Sequence, residues 1–190
     1  MTPGISACTD GELAMLCRRG DQRAFSEIVK RHKEPMYRVA KSCMGEPDEA
    51  LDIVQEAFLA AFRNLARYDP DRSFRAWLAR ITINKCRDWA RRRAVRRLFT
   101  LPSVTAEQAS RIVDPGADAE RAAGDRAELA RLELAIRALP ANLREVLLLR
   151  AIDGLSQAET AEALQITEKA VEARLYRARG KLARVRDRSV

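Results

Sequence analysis

The side chains of this 190-residue chain that could do chemistry are cationic rather than nucleophilic. A single histidine, His32, and four cysteines, Cys8, Cys17, Cys43 and Cys86, stand far apart with no CxxC spacing. That pattern supports neither a zinc site nor a disulfide framework, and the thiols read as reduced structural residues. Catalysis on nucleic acid would need a metal-binding carboxylate cluster, or a nucleophile beside its base. The sequence offers neither, nor a glycine-rich phosphate loop, so no enzyme activity, cofactor, metal or dedicated small-molecule ligand is expected.

The cations are concentrated. Between Lys85 and Arg97, Lys85, Arg87, Arg91, Arg92, Arg93, Arg96 and Arg97 face Asp88 alone, and from Glu168 to Arg188 eight basic residues face three acidic ones. Residues 101–135 carry four basic against seven acidic residues, so the net charge of +8 resolves into two basic patches flanking an acidic middle. Each patch closes a helical block, and two such patches attract a polyanion and gain by releasing its counterions.

The elements that must position these charges all read as helices. Thr9 with Glu12 makes a capping box for a short helix, and Gly20-Asp21 ends it and caps the next. That second helix buries Phe25, Ile28 and Val29, and Pro35 is expected to kink or break it before Met36, Val39 and Cys43 resume the pattern. A third helix sets Leu51, Val54, Phe58, Ala61, Phe62 and Leu65 in one apolar stripe. Its other face carries Glu49, Asp52, Glu56 and Arg63, with Gln55 and Leu59 at the edges, a mixture suited to docking a partner. After the loop Tyr68–Ser73, a fourth helix with Trp77, Asn84 and Trp89 runs into the basic tract, an arrangement able to stack bases and hold phosphates.

From about Leu101 to Gly124, prolines, glycine and small residues without an apolar period read as a linker. Beyond it, a helix with Leu129, Leu132, Ile136 and Leu139 stops at Pro140, and another through Leu143, Val146 and Leu147 stops at Asp153-Gly154. Ser156 and Glu159 form a second capping box, and Gln165-Ile166 connects that helix tightly to one capped by Thr167. This is the spacing of a helix-turn-helix. In the last helix Val171, Leu175, Ala178, Leu182 and Val185 face inward, leaving Lys169, Glu172, Ala173, Tyr176 and Arg177 to face out, where base edges would be read.

The expected fold is therefore all-α, with two small helical domains joined by a flexible linker. The boundaries fall at a flexible N-terminus 1–9, an N-terminal domain 10–99, a linker 100–125 and a C-terminal helix-turn-helix domain 126–190. No apolar run approaches the roughly 18 residues of a membrane span, and the N-terminus lacks the basic start and apolar stretch of a signal peptide, so a cytoplasmic protein is expected.

The strings Asp52-Ile-Val-Gln-Glu-Ala-Phe58, Tyr68-Asp-Pro-Asp-Arg-Ser-Phe-Arg-Ala-Trp-Leu78 and Ala170-Val-Glu-Ala-Arg-Leu-Tyr-Arg-Ala-Arg179 stand in that order. They resemble the extracytoplasmic-function (ECF) sigma factors of bacterial RNA polymerase, over about residues 10–98 and 126–185. The resemblance implies that Asp52, Gln55 and Glu56 dock on the clamp coiled coil of the core polymerase, with the flap as a further contact. It places the melting and capture of the minus-ten element on the loop 66–73 and the fourth helix, with Tyr68, Trp77, Asn84, Lys85, Arg87 and Arg91. It implies a minus-thirty-five contact set of Arg150, Lys169, Glu172, Ala173, Arg174, Tyr176 and Arg177. An anti-sigma partner, which can be membrane-bound, is implied as well. Many members carry Lys or Arg followed by Ser where this chain has Glu172-Ala173, which points to a different minus-thirty-five preference, since Glu accepts from cytosine N4 and Ala touches a thymine methyl. A self-sufficient activator or repressor would use the same helix-turn-helix, but usually as a dimer. It would leave the Asp52 face and the Trp77–Arg97 tract without a purpose.

Overall fold

The computed structural model describes residues 4–99 and 117–187, with side chains described over 4–96 and 127–184. Its helices are α1 (Asp10–Arg18), α2 (Gln22–Met44), α3 (Pro47–Asn64), α4 (Phe74–Phe99), α5 (Ala117–Ala138), α6 (Ala141–Leu147), α7 (Gln157–Leu164) and α8 (Glu168–Asp187). No strand occurs among the described residues, as the all-α reading expects. Most of the expected linker lies outside the described residues, and α5 begins at Ala117, inside the segment read as linker. The side chains of Arg97 and Val185 also fall outside them.

Both capping boxes form. The Thr9 hydroxyl accepts from the Glu12 amide while the Glu12 carboxylate accepts from the Thr9 amide, and Ser156 and Glu159 repeat this exchange at the start of α7. Each box satisfies two amides that the first helical turn would otherwise leave unpaired. Ser73 caps α4 by accepting from the Ala76 amide at 3.3 Å.

Three expectations are corrected. First, α2 is not broken at Pro35 but runs unbroken as helix to Met44. Proline forfeits one backbone hydrogen bond, and the buried row Ile28, His32, Met36, Val39 and Ala40 on both sides of it holds the helix together through packing. Second, α3 buries Ala50, Ile53, Val54, Ala57, Phe58 and Ala61, whereas Leu51 and Phe62 are exposed, so the buried stripe is turned about one residue from the expected one. Small alanines let α3 approach α2 closely, and Phe62 still meets Phe25 edge-on, with ring centroids 4.9 Å apart. Third, residues 5–9, expected to be flexible, are tied down. Arg31 donates to the carbonyls of Ser6 and Cys8 and to the Asp10 carboxylate, and Cys8 is buried.

The N-terminal bundle packs α2 against α1, α3 and α4. α4 also packs against α7, and the turn after α6 packs against α2. One continuous apolar core results, joining Ile28, Val39, Leu78 and Ile83 to Val146, Leu149, Leu155 and Leu164. A smaller core of Leu139, Leu143, Leu147 and Ala178 belongs to the C-terminal helices. The two halves are folded together.

Candidate nucleic-acid interface

α3 carries its proposed docking triad on one exposed face. Asp52, Gln55 and Glu56 all lie in solvent, and the Glu56 carboxylate accepts from Lys85 of α4 at 3.0 Å. Asp52 forms no ion pair among the described residues.

The loop ahead of α4 is held by aromatic packing. Tyr68, expected at the DNA surface, is buried, and its hydroxyl donates to the Arg72 carbonyl at 2.6 Å. Its ring lies 5.1 Å from Phe74 and 5.2 Å from Trp77, and burial, followed by nearby carboxylates, pushes its pKa up to about 12. Tyr68 thus shapes the loop instead of presenting itself on its surface. Trp77 is half-buried behind it. Asn84, Arg87, Arg91 and Arg92 are exposed along α4, and Arg93 stacks its guanidinium 4.8 Å from the Trp89 ring centre. Arg91 pairs with Asp88, and Arg87 donates to Asn84 at 3.4 Å.

The helix-turn-helix turns at Gln165, a non-glycine residue in the left-handed region (φ 55°), with the Ile166 amide bonded to the Ala161 carbonyl at 3.0 Å. Thr167 caps α8 by accepting from the Ala170 amide at 3.2 Å. Val171 and Ala178 are buried as expected, and Lys169, Glu172, Ala173, Tyr176 and Arg177 are exposed, Tyr176 to 81%. Arg174 is half-buried at the edge of this face. Arg150, expected to anchor DNA, donates to the Leu155 carbonyl and braces the turn before α7.

Comparison with known proteins agrees with this geometry. The sigma-70 region 2 model matches residues 28–96 and the sigma-70 region 4 model matches residues 129–182. The chain is 41% identical to the RNA polymerase sigma factor CnrH of Cupriavidus metallidurans, over 94% of both chains. It is an ECF sigma factor. It is also 33% identical to the ECF sigma factor SigW of Bacillus subtilis, over 85% of this chain and 88% of that one. Among solved structures, CnrH in complex with the cytosolic domain of CnrY superposes with a TM-score of 0.73 at 36% identity, covering 95% of this chain and 99% of that one. The fold alone is shared with the sigma factor RpoE of Bartonella quintana, crystallised with the anti-sigma factor NepR, at a TM-score of 0.67 and 19% identity over 86% of this chain and 96% of that one. As a sigma factor, the protein binds core RNA polymerase and directs it to promoters.

The pairings that sequence reasoning missed lie where the two halves of this sigma factor meet. Arg87 donates Nε and an Nη to the two carboxylate oxygens of Glu145 at 2.7 and 2.6 Å. Arg75 donates twice to Asp153 Oδ1, at 3.1 and 2.7 Å, and once to its backbone carbonyl. Arg72 donates to Glu162 at 3.0 Å, and the Ser73 hydroxyl donates to Glu159 at 2.7 Å. Burial raises the Asp153 carboxyl above the ordinary aspartate value although Arg75 opposes it, and the Glu145 hydrogen bonds hold the Arg87 proton more tightly. These partners stand 58 to 90 residues apart in the chain, so no local pattern could reveal them.

Beside this seam lies an apolar groove of about 540 Å³, lined by Leu129, Leu132, Ile136, Leu147, Leu148 and Ile152 and rimmed by Arg38, Lys41 and the Glu133–Arg137 pair. Leu129 and Leu132, expected to pack inward, are instead largely exposed. Arg137 covers the turn at Gly45 (φ +91°), where an added Cβ would stand 2.6 Å from its guanidinium. No helix among the described residues is long and apolar enough to cross a membrane.

Proposed function

We propose that this sigma factor works through three surfaces and carries no catalytic activity of its own. Asp52, Gln55 and Glu56 dock on the clamp coiled coil of the core enzyme. Trp77, Asn84, Lys85, Arg87 and Arg91, on a scaffold shaped by Tyr68, bind the minus-ten strand and capture an unstacked base. Unstacking costs a few kcal/mol, which a preformed pocket and a basic groove offset. Lys169, Glu172, Ala173, Arg174, Tyr176 and Arg177 read the minus-thirty-five element in the major groove, and Arg150 steadies the approach.

The observation that carries this reading is the outer face of α8, held out from a capped helix-turn-helix with Glu172, Ala173, Tyr176 and Arg177 all exposed. That is the posture of a major-groove reader. Residues 1–9 and 10–99, the connector 100–125 and the domain 126–190 divide the labour, and the protein acts in the cytoplasm.

We also propose control by an anti-sigma factor. Support comes from RpoE, crystallised with the anti-sigma factor NepR, and from CnrH, whose structure holds the cytosolic domain of a second protein, CnrY. The groove beside α5 suits an amphipathic helix, with leucines for its apolar face and Arg38, Lys41 and Arg137 for acidic residues at its margin.

The test is run-off transcription with core polymerase on the promoter of the protein's own operon. New accurate starts that appear only with the protein present are expected. Failure to co-purify with core, combined with a shift of promoter DNA by the protein alone, would favour a polymerase-independent regulator.

A further inference from the structure

Two of the four thiols stand opposite one another where α2 packs on α4. Met36 and Cys43 lie seven residues apart on α2, and Thr82 and Cys86 four apart on α4, so each pair shares one face of its helix. The Thr82 hydroxyl donates to Met36 Sδ at 3.3 Å, which sets these two faces against each other. Two turns on along α2 and one turn on along α4, the Cys86 thiol donates a hydrogen bond to the Cys43 sulfur. Both are free thiols.

Their surroundings differ. Cys43 is half-buried, whereas Cys86 is only 4% exposed. Arg144 of α6 reaches the Cys43 sulfur as a second hydrogen-bond donor. That arginine has no carboxylate partner among the described residues. It donates to the Arg137 carbonyl at 2.6 Å, and its Nε is buried without a partner. Glu145, the carboxylate next to it in the chain, is held on both oxygens by Arg87. The anion that Arg144 faces is therefore Cys43 in its thiolate form.

The two thiols are divided in role by the same contacts. The hydrogen bond from Cys86, and after it the charge of Arg144, hold the Cys43 thiol below the ordinary cysteine value against the effect of burial. The shared hydrogen bond and burial push Cys86 well above that value, and burial pushes Cys17 up to about 11. Since the thiolate and not the thiol is the nucleophile, Cys43 is the residue fitted to attack. Cys86 waits beside it in the protonated form.

We propose that Cys43 and Cys86 are an oxidant-responsive pair that hydrogen peroxide converts to a reversible intramolecular disulfide, with Cys43 attacking and Cys86 resolving. The Cys43 thiolate bonds to one peroxide oxygen, the O–O bond breaks, and the second oxygen leaves with the electron pair, takes up a proton and becomes water. Cys43 is then a sulfenic acid. The Cys86 sulfur attacks the Cys43 sulfur, the S–O bond breaks, and the departing hydroxide takes the Cys86 proton as a second water. Two thiols lose two electrons and one peroxide becomes two waters. A reducing dithiol reverses the link by exchange. Cys86 stands between Lys85 and Arg87, so the bond fastens α4 within the surface assigned above to the minus-ten strand. The thiol chemistry itself does not depend on that assignment.

The test adds hydrogen peroxide to the reduced full chain, blocks remaining thiols with N-ethylmaleimide and maps the products by tryptic cleavage and mass spectrometry. One linked species should predominate, residues 42–63 joined to residues 86–87, and dithiothreitol should separate it. Circular dichroism should show unchanged helix content. In concentrated guanidinium chloride the same treatment should lose this selectivity, because the fold sets the pairing. Cys17 should be consumed at least about tenfold more slowly than Cys43. Cys86→Ala should leave Cys43 as a sulfenic acid that dimedone traps, and Cys43→Ala should leave Cys86 unmodified.

Retention of both thiols under peroxide overturns the proposal, and so does a predominant link between any other two cysteines or between two chains. Equal selectivity in the denatured chain overturns the claim that the α2–α4 contact directs the bond. Dimedone on Cys86 in Cys43→Ala, with none on Cys43 in Cys86→Ala, overturns the division into attacking and resolving thiols.

Discussion

The α3 docking face makes a prediction whose two halves the structure separates cleanly. Asp52→Arg with Glu56→Arg reverses two charges on an exposed surface. The intramolecular cost is small, because Asp52 has no ion-pair partner among the described residues and Glu56 has one. The Glu56–Lys85 pair spans 3.0 Å with side chains 46% and 29% exposed, and a pair so open to solvent contributes about 0.2–1 kcal/mol. Replacing it with facing cations adds a repulsion of similar size. The total, about 1–2 kcal/mol, lowers the melting temperature by no more than about 4–8 °C for a chain of this length. At an interface the same reversal removes charges from contacts that typically cost about 2–5 kcal/mol to break. That corresponds to a loss of core affinity of roughly 30-fold to several thousandfold. Co-elution with core polymerase on size exclusion, beside a thermal melt, reads both quantities. Undiminished co-elution would refute the assignment of this face to the core enzyme. Lost co-elution with a melting temperature down by far more than that would show that these residues serve the fold instead.

Two further outcomes follow from individual contacts. Arg177→Ala removes an exposed side chain whose hydrogen bond runs to the Ala173 carbonyl at 3.2 Å, so thermal stability should hold. Binding to a minus-thirty-five duplex should weaken by about 1–3 kcal/mol with the loss concentrated at one base pair, and an equal loss on every sequence would make Arg177 a phosphate contact. The Asp10 carboxyl is held below the ordinary aspartate range, first by its 2.7 Å hydrogen bond with His32 and then by Arg31. Its contribution to stability is therefore complete above the unfolded value near about 3.9 and is lost as pH falls through the lower folded value. Urea midpoints should drop across that acidic window in the wild type, and Asp10→Asn should flatten the profile there.

Local features of this protein were legible without coordinates. The Thr9–Glu12 and Ser156–Glu159 boxes and the Gln165-Ile166 turn depend on residues three or four apart, and a helix satisfies such groups within one turn whatever surrounds it. The outward face of α8 was legible for a related reason, since a regular 3.6-residue period fixes which residues share a side once a few are known to be buried.

Where a pattern admits two solutions, packing chose between them. Pro35 could have broken α2, but buried residues on both sides kept the helix whole. The α3 stripe could have included Leu51 and Phe62, but the small residues Ala50, Ala57 and Ala61 let a neighbouring face come closer to α2. Tyr68 lies in a loop of polar residues that promised exposure, yet Phe74 and Trp77, six and nine residues on, drew its ring inward.

The sequence alone determined that this chain is helical, that it carries a helix-turn-helix, and that two basic tracts flank an acidic middle, because each of these is written in neighbouring residues and in composition. Its motifs identified the family for the same reason. Only the tertiary structure decided that Arg72, Arg75 and Arg87 meet Glu162, Asp153 and Glu145, and that Leu129 and Leu132 line an open groove. A carboxylate anywhere in the C-terminal half is an equally good partner for an arginine until the fold brings one within 3 Å and excludes water from it, and that selection belongs to the packing of α4 against α7 and of α2 against the turn after α6.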